Sequence, residues 1–175
     1  MTASRILRTG RLVLSPVAWP DLADLQALKA DPRVFAQMLG GVRSAAQVAD
    51  ELAEDSAFWA RSGVGMWMVR DAKTGAAVGL TGLHERPDGR GVGLRFAFTP
   101  ESRGHGLARE AAGAALRFGH DQGGLRRVVA VARETNIGSR TVLGAIGMRE
   151  CDAFSRGGEQ MLVYESVRGS TPRSG

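Results

Sequence analysis

Residues Thr99–Asp121 read TPESRGHGLAREAAGAALRFGHD. Gly104 and Gly106 flank His105 directly after Arg103, and Leu107, Ala111, Ala115 and Phe118 then recur at helical spacing. The preceding stretch VGLRFAFT alternates as a strand does, which puts the glycines at a strand-to-helix junction. A helix start presents N–H groups without intrahelical partners together with the positive end of the helix dipole, a combination that binds phosphate oxygens. Glycine lets a diphosphate come close to that backbone. Two familiar phosphate loops do not fit. A P-loop ends in Gly-Lys-Ser/Thr, where this chain has Gly106-Leu107-Ala108. A dinucleotide-binding turn carries a third glycine where Arg109 stands, and only Glu134 after the next strand speaks for it.

Other chemistries find little support. Three histidines (His84, His105, His120) are spread along the chain and Cys151 is the single cysteine, so neither a metal site nor an internal disulfide is expected. The net charge of +5 comes from scattered arginines with 6% aromatic residues, a pattern that fits attraction of anionic ligands better than a nucleic-acid surface. No apolar run approaches the roughly 20 residues of a membrane span, and the first residues lack a signal-peptide stretch. A soluble, cytoplasmic protein with no membrane and no nucleic-acid partner is the expectation, and a homodimer is admitted.

With 175 residues, 43% of them apolar, the chain has the size of one domain. RLVLSPV reads as a strand, Asp21 as the N-cap of a helix through Leu22, Leu25 and Leu28, and Ala45–Arg61 as a second helix ended by Gly63. Val48, Leu52 and Trp59 share the buried face of that helix, with Asp50, Glu51, Glu54 and Asp55 on its solvent side. MWMVRDA and AAVGLTGLHE form a hairpin across Lys73-Thr74-Gly75. In VGLRFAFT, Val92, Leu94, Phe96 and Phe98 face the core, and Gly93, Arg95, Ala97 and Thr99 occupy a side left free. After the glycine helix come the strand LRRVVAVA, parallel to VGLRFAFT, a shorter helix capped by Asn136, and a closing hairpin through Gly157-Gly158. Residues 1–168 are read as one domain and 169–175 as a disordered tail.

These motifs together resemble the GNAT N-acetyltransferase superfamily, in particular its ribosomal-protein (RimJ/RimL-like) branch. Arg103, Gly104, His105, Gly106, Leu107 and Ala108 match the family's Arg/Gln-x-x-Gly-x-Gly/Ala motif. GRLVLSP is similar to the branch's opening ERLxLRP, and Asn136, Ser139, Val142, Leu143, Gly147 and Met148 meet its NxxSxxVLxxxGM/F in full. The likeness covers about residues 10 to 167.

The resemblance implies an α/β (α+β) fold: a mixed, mostly antiparallel seven-stranded sheet, flanked by helices and splayed between two central parallel strands. It implies acetyl-CoA as cofactor and CoA as product. The pantetheine arm would bind like an added strand beside Phe98 and Thr99, the diphosphate on the amides from Arg103 to Ala108, and Asn136 would touch the cofactor from the other side. Ser139 would direct its hydroxyl at the departing sulfur. Each has a plainer reading: Phe98 as core, Asn136 as a helix cap, and Ser139 as a third helical residue reaching back to that cap.

Two features depart from the pattern. Where the branch carries a glutamate, this chain has Gly93 and Arg95, and where many relatives carry a tyrosine acid it has Leu143. Glu85 and His84, at the end of their strand, are the local candidates for a base, beside a reading as solvated turn residues. Attack on a thioester needs a neutral amine. A lysine amine with pKa near 10.4 is rarely neutral at pH 7, whereas an α-amine near 7.7–8.0 is neutral in roughly a tenth to a sixth of its molecules. This favours a protein or peptide N-terminus as acceptor. A small amine (polyamine, amino acid or aminoglycoside) stays open, as does a non-catalytic acyl-CoA sensor.

Overall fold

The computed structural model describes residues 4–169, so the expected tail lies outside the described residues except for Gly169. Among the described residues, the sheet has eight strands: β1 (Leu7–Arg8), β2 (Leu12–Pro16), β3 (Met66–Asp71), β4 (Ala77–Glu85), β5 (Val92–Phe98), β6 (Arg127–Arg133), β7 (Arg149–Arg156) and β8 (Glu159–Val167). Helices α1 (Leu22–Ala30), α2 (Pro32–Phe35) and α3 (Ala45–Ser62) connect β2 to β3; α4 (Leu107–Asp121) joins β5 to β6, and α5 (Ile137–Ala145) joins β6 to β7. The eighth strand is β1, two residues that pair with Val13 and Leu14 and are too short to show an alternation in sequence.

Local chemistry sets the helix ends. Ser44 and Gln47 close a capping box at the start of α3, and Gly63 ends it in the left-handed conformation (φ 70°). Asp21 precedes α1 but its carboxylate accepts from the Ala18 amide instead of capping the helix, because a short 3-10 turn over Trp19–Asp21 intervenes. Helix α4 follows Gly106 (φ 76°), a conformation that disfavours any residue with a Cβ.

The strand order is β1-β2-β3-β4-β5-β6-β8-β7, and every neighbouring pair is antiparallel except β5 and β6. One layer covers each face. Leu12, Leu14, Trp67, Leu94 and Phe98 pack under α4, whose Ala111, Ala112 and Ala115 let the helix come close. Trp59, Trp67 and Phe118 meet edge to face there, with centroids 4.8 to 6.1 Å apart. Met66, Met68, Leu80 and Ala97 pack on the other face against Leu25, Leu28, Phe35, Val48 and Leu52 of α1–α3. The side of β5 expected to be free is thus covered. Alternation in β5 marks its two faces but not what covers the polar one, since glycine, arginine and alanine can line a buried layer as well as a wet one.

β5 is laddered to β4 over seven residues and β6 to β8 over seven, yet β5 and β6 share only the register pair Gly93–Val129. Beyond that pair the strands part. Their inner edges from Leu94 to Phe98 and from Ala130 to Arg133 flank a wedge in which backbone N–H and C=O groups find no partner within the sheet.

Candidate active site

Two cavities open into this wedge and meet inside it. The one toward the glycine loop, about 350 Å³, is lined by Phe96, Phe98, Gly104, Gly106, Leu107 and Ala108. The other, about 470 Å³, reaches His84, Arg95 and Asp55 under α3. Gln37, Met38, Phe96, Asn136 and Ser139 line both, so a molecule bound in one can touch a molecule bound in the other.

At the glycine loop the first helical backbone bond runs from the Glu110 amide to the Gly106 carbonyl, and no side chain caps the helix. The amides of Leu107 and Ala108 therefore stand before the first intrahelical bond, at the positive end of a 15-residue helix. Gly104 and Gly106 both have positive φ (81° and 76°), and an added Cβ at Gly104 would stand in open space. This backbone fits an anionic diphosphate. The loop is held from outside by Arg11, which the sequence marked only as part of GRLVLSP: its Nη1 donates to the His105 carbonyl (2.7 Å) and its Nε to Glu110 (2.9 Å). Ninety-nine residues separate Arg11 from Glu110, so no local pattern announces the contact.

The expected cofactor residues divide. Leu107, Ala108, Gly104, Gly106, Asn136 and Ser139 line the cleft, as does Arg103, whose guanidinium donates to the Arg33 carbonyl (2.8 Å) while its amide donates to Pro100. Phe98 is 5% exposed, its ring lying against Gly79, and also forms part of the cleft wall. Thr99 turns away: its amide donates to Val78 and its hydroxyl pairs with Ser102 at 2.6 Å. His105 contributes its carbonyl to Arg11 and does not line the cleft. Asn136 caps α5, its Oδ1 accepting from the Ser139 amide at 3.1 Å. The Ser139 hydroxyl does not reach back to the cap, and among the described residues it has no hydrogen-bond partner.

At the second cavity, Glu85 stands at the rim, its side chain 69% exposed and 3.8 Å from Arg61. His84 is different from a solvated turn residue. It lies over Gly93, where an added Cβ would crowd Arg86 (2.9 Å) and His84 Nε2 (3.1 Å), and burial, reinforced by Arg95 and Arg86, pulls its pKa down to about 3. The ring is neutral throughout the physiological range.

Acidic residues of α3 also depart from expectation. Glu51 and Asp55 lie one turn apart on the inner side of the helix instead of facing solvent. Glu51 binds the buried Lys29 (2.6 Å) and Arg43 (2.6 Å), which outweigh burial and hold its pKa below the usual range. Among the described residues Asp55 makes no ion pair, and burial raises its pKa against the pull of Arg95 and Lys29. A basic residue that needed acidic neighbours, Lys29, was the signal in the sequence, but it lies on another helix.

No group of His, Cys, Asp or Glu that could hold a metal ion occurs among the described residues, and none of their helices is long and apolar enough to cross a membrane.

The family model described as acetyltransferase (GNAT) domain matches residues 11–149. An acetyltransferase from Agrobacterium tumefaciens str. C58 has the same fold, with 27% identity and a TM-score of 0.82 over 95% of this chain and 96% of that one. RimL, a ribosomal L7/L12 alpha-N-protein acetyltransferase solved with coenzyme A, is 15% identical, with a TM-score of 0.76 over 93% of this chain and 98% of that one. A spermidine N-acetyltransferase variant from Vibrio cholerae is 14% identical, with a TM-score of 0.72 over 91% of this chain and 95% of that one. No curated protein matches this chain in sequence.

Proposed function

Because the chain belongs to the GNAT acetyltransferase family and is an acetyl-CoA-dependent N-acetyltransferase, we propose that its acceptor is the N-terminal α-amine of a protein or peptide, attacking directly. The observation that supports this reading is the meeting of two cavities at Ser139 and Asn136, one of them ending on the open amides of α4. Bound acetyl-CoA supplies a thioester, an acyl donor that an amine can attack.

The chain's own residues provide three things. The amides of Leu107 and Ala108 and the dipole of α4 hold negative charge at the glycine loop. The unpaired inner edge of β5 offers backbone groups to an extended, amide-bearing arm. The Ser139 hydroxyl, unclaimed by the cap, would be the residue to donate a hydrogen bond to a departing thiolate. A strong base is not evident: His84 is neutral but weakly basic, and Glu85 stands at the rim beside Arg61. An amine that is partly neutral at pH 7 needs least help, and the α-amine is that amine.

A polyamine fits less well, since five arginines and four carboxylates line the acceptor cavity (Arg43, Arg86, Arg95, Arg133, Arg156 against Glu51, Glu54, Asp55, Glu85). A polycation would meet no excess of negative charge. The test compares a peptide with a free N-terminus and the same peptide blocked there but carrying lysine. Faster acetylation of the free N-terminus at pH 7 is expected; equal rates, or a preference for the blocked peptide, would overturn the α-amine reading.

A further inference from the structure

Arg95 sits in the middle of β5, and its side chain lines the acceptor cavity. Its Nε is fully buried and unpaired, and among the described residues its guanidinium makes no hydrogen bond and no ion pair within 4 Å. A guanidinium carries five donors and stays charged at any working pH, so leaving its Nε buried without a partner is costly. Among the described residues no carboxylate closes an ion pair with it. Glu51 is already held by Lys29 and Arg43, and Arg86 is held by Asp88 at 2.6 Å. Asp55 acts on Arg95 only through space, and its own burial favours its uncharged form. Arg43, Arg86 and Arg133, which line the same cavity, each have a carboxylate within 4 Å, whereas Arg95 combines a buried, unpartnered Nε with a guanidinium that lines the cavity.

We propose that Arg95 is the specificity residue of the acceptor cavity, and that it takes a carboxylate carried by the amine acceptor. This deepens the acetyl-transfer reading and rests on it. A carboxylate is the group that matches a guanidinium with two parallel hydrogen bonds, and it satisfies donors that the fold leaves open. The volume of about 470 Å³ admits either a free amino acid or the first residues of a peptide with an acidic side chain. Both present the same chemistry: an amine with a carboxylate a few atoms away.

Two matched pairs of probes separate the sources: alanine against alaninamide, and alanyl-aspartate amide against alanyl-asparagine amide. Each is titrated calorimetrically into the protein saturated with CoA, and each is also tried as acceptor with acetyl-CoA. In at least one pair the carboxylate member binds tenfold tighter or more, and that pair names the source. Arg95→Met brings the two members within about twofold while the dissociation constant of CoA stays within twofold. Arg95→Lys keeps the charge without the fork and retains part of the preference, which covers the case in which Arg95→Met does not fold. Equal affinity within both pairs in the parent protein, or a carboxylate preference that survives Arg95→Met, would overturn the proposal. Arg95-dependent carboxylate binding with no acetylation of any probe upholds the subsite and counts against the acceptor class of the transfer reading instead.

Discussion

Ser139 carries two competing roles, and the hydrogen bonds distinguish them. The cap at the start of α5 is made by the Asn136 side chain and the Ser139 amide, so the hydroxyl contributes no protein hydrogen bond to the fold. Ser139→Ala should therefore leave the melting temperature within a degree or two and the CoA dissociation constant nearly unchanged. Turnover should fall by about 10²-fold, the scale expected when a positioned proton donor is lost. A lower melting temperature with turnover intact would return Ser139 to a structural role. Gly104, Gly106, Asn136 and Ser139 of this cleft were legible in sequence because glycine, asparagine and serine stand at fixed offsets around two helix starts, whereas Gln37 and Met38, which also line it, carry no such pattern. Arg11 and Arg95 were not: the first acts across 99 residues, and the second acts by lacking a partner, which no spacing can show.

Helices α1 and α3 were readable from their apolar spacing and, for α3, from the glycine that ends it, but the inward turn of Glu51 and Asp55 was not, because charged residues one turn apart look alike on a wet face and on a paired dry one. The pairing has a consequence for stability. Lys29 is 3% exposed and its ammonium relies on Glu51 at 2.6 Å, with Arg43 sharing the same carboxylate. Glu51→Gln should cost about 3 kcal/mol or more in denaturant unfolding at pH 7, the order seen when one partner of a buried pair is removed. The sign of the pH effect follows from the depressed pKa of Glu51 in the folded chain. Its stabilisation is complete above the unfolded carboxyl value of about 4.3 and fades as pH falls through the lower folded value. Unfolding curves of parent and variant should thus be far apart at pH 7 and draw together below about pH 4. A gap that stays constant across that range would mean that the ion pair is not what Glu51 contributes.

At the scale of the whole molecule, the order of strands and helices from Leu12 onward was legible because each segment carries its own period and its own glycine or capping residue. Three features were not: β1, with two residues, the single-turn helix α2, with four, and the insertion of β8 between β6 and β7, since a closing hairpin can pair through either of its strands. The parting of β5 from β6 after Gly93–Val129 is a property of the assembled sheet, and it is what joins the glycine-loop cleft to the acceptor cavity. With the two cavities joined, acyl donor and amine acceptor can meet in one wedge, and turnover is the consequence to test. The most direct measurement follows free thiol on incubation of the protein with acetyl-CoA, with and without a set of α-amine peptides and small amines. Thiol release that requires an amine and yields its N-acetyl derivative is the result predicted. Tight CoA binding with no acceptor-dependent release from any amine in the set would contradict it and leave a protein that senses acyl-CoA without transferring the acyl group.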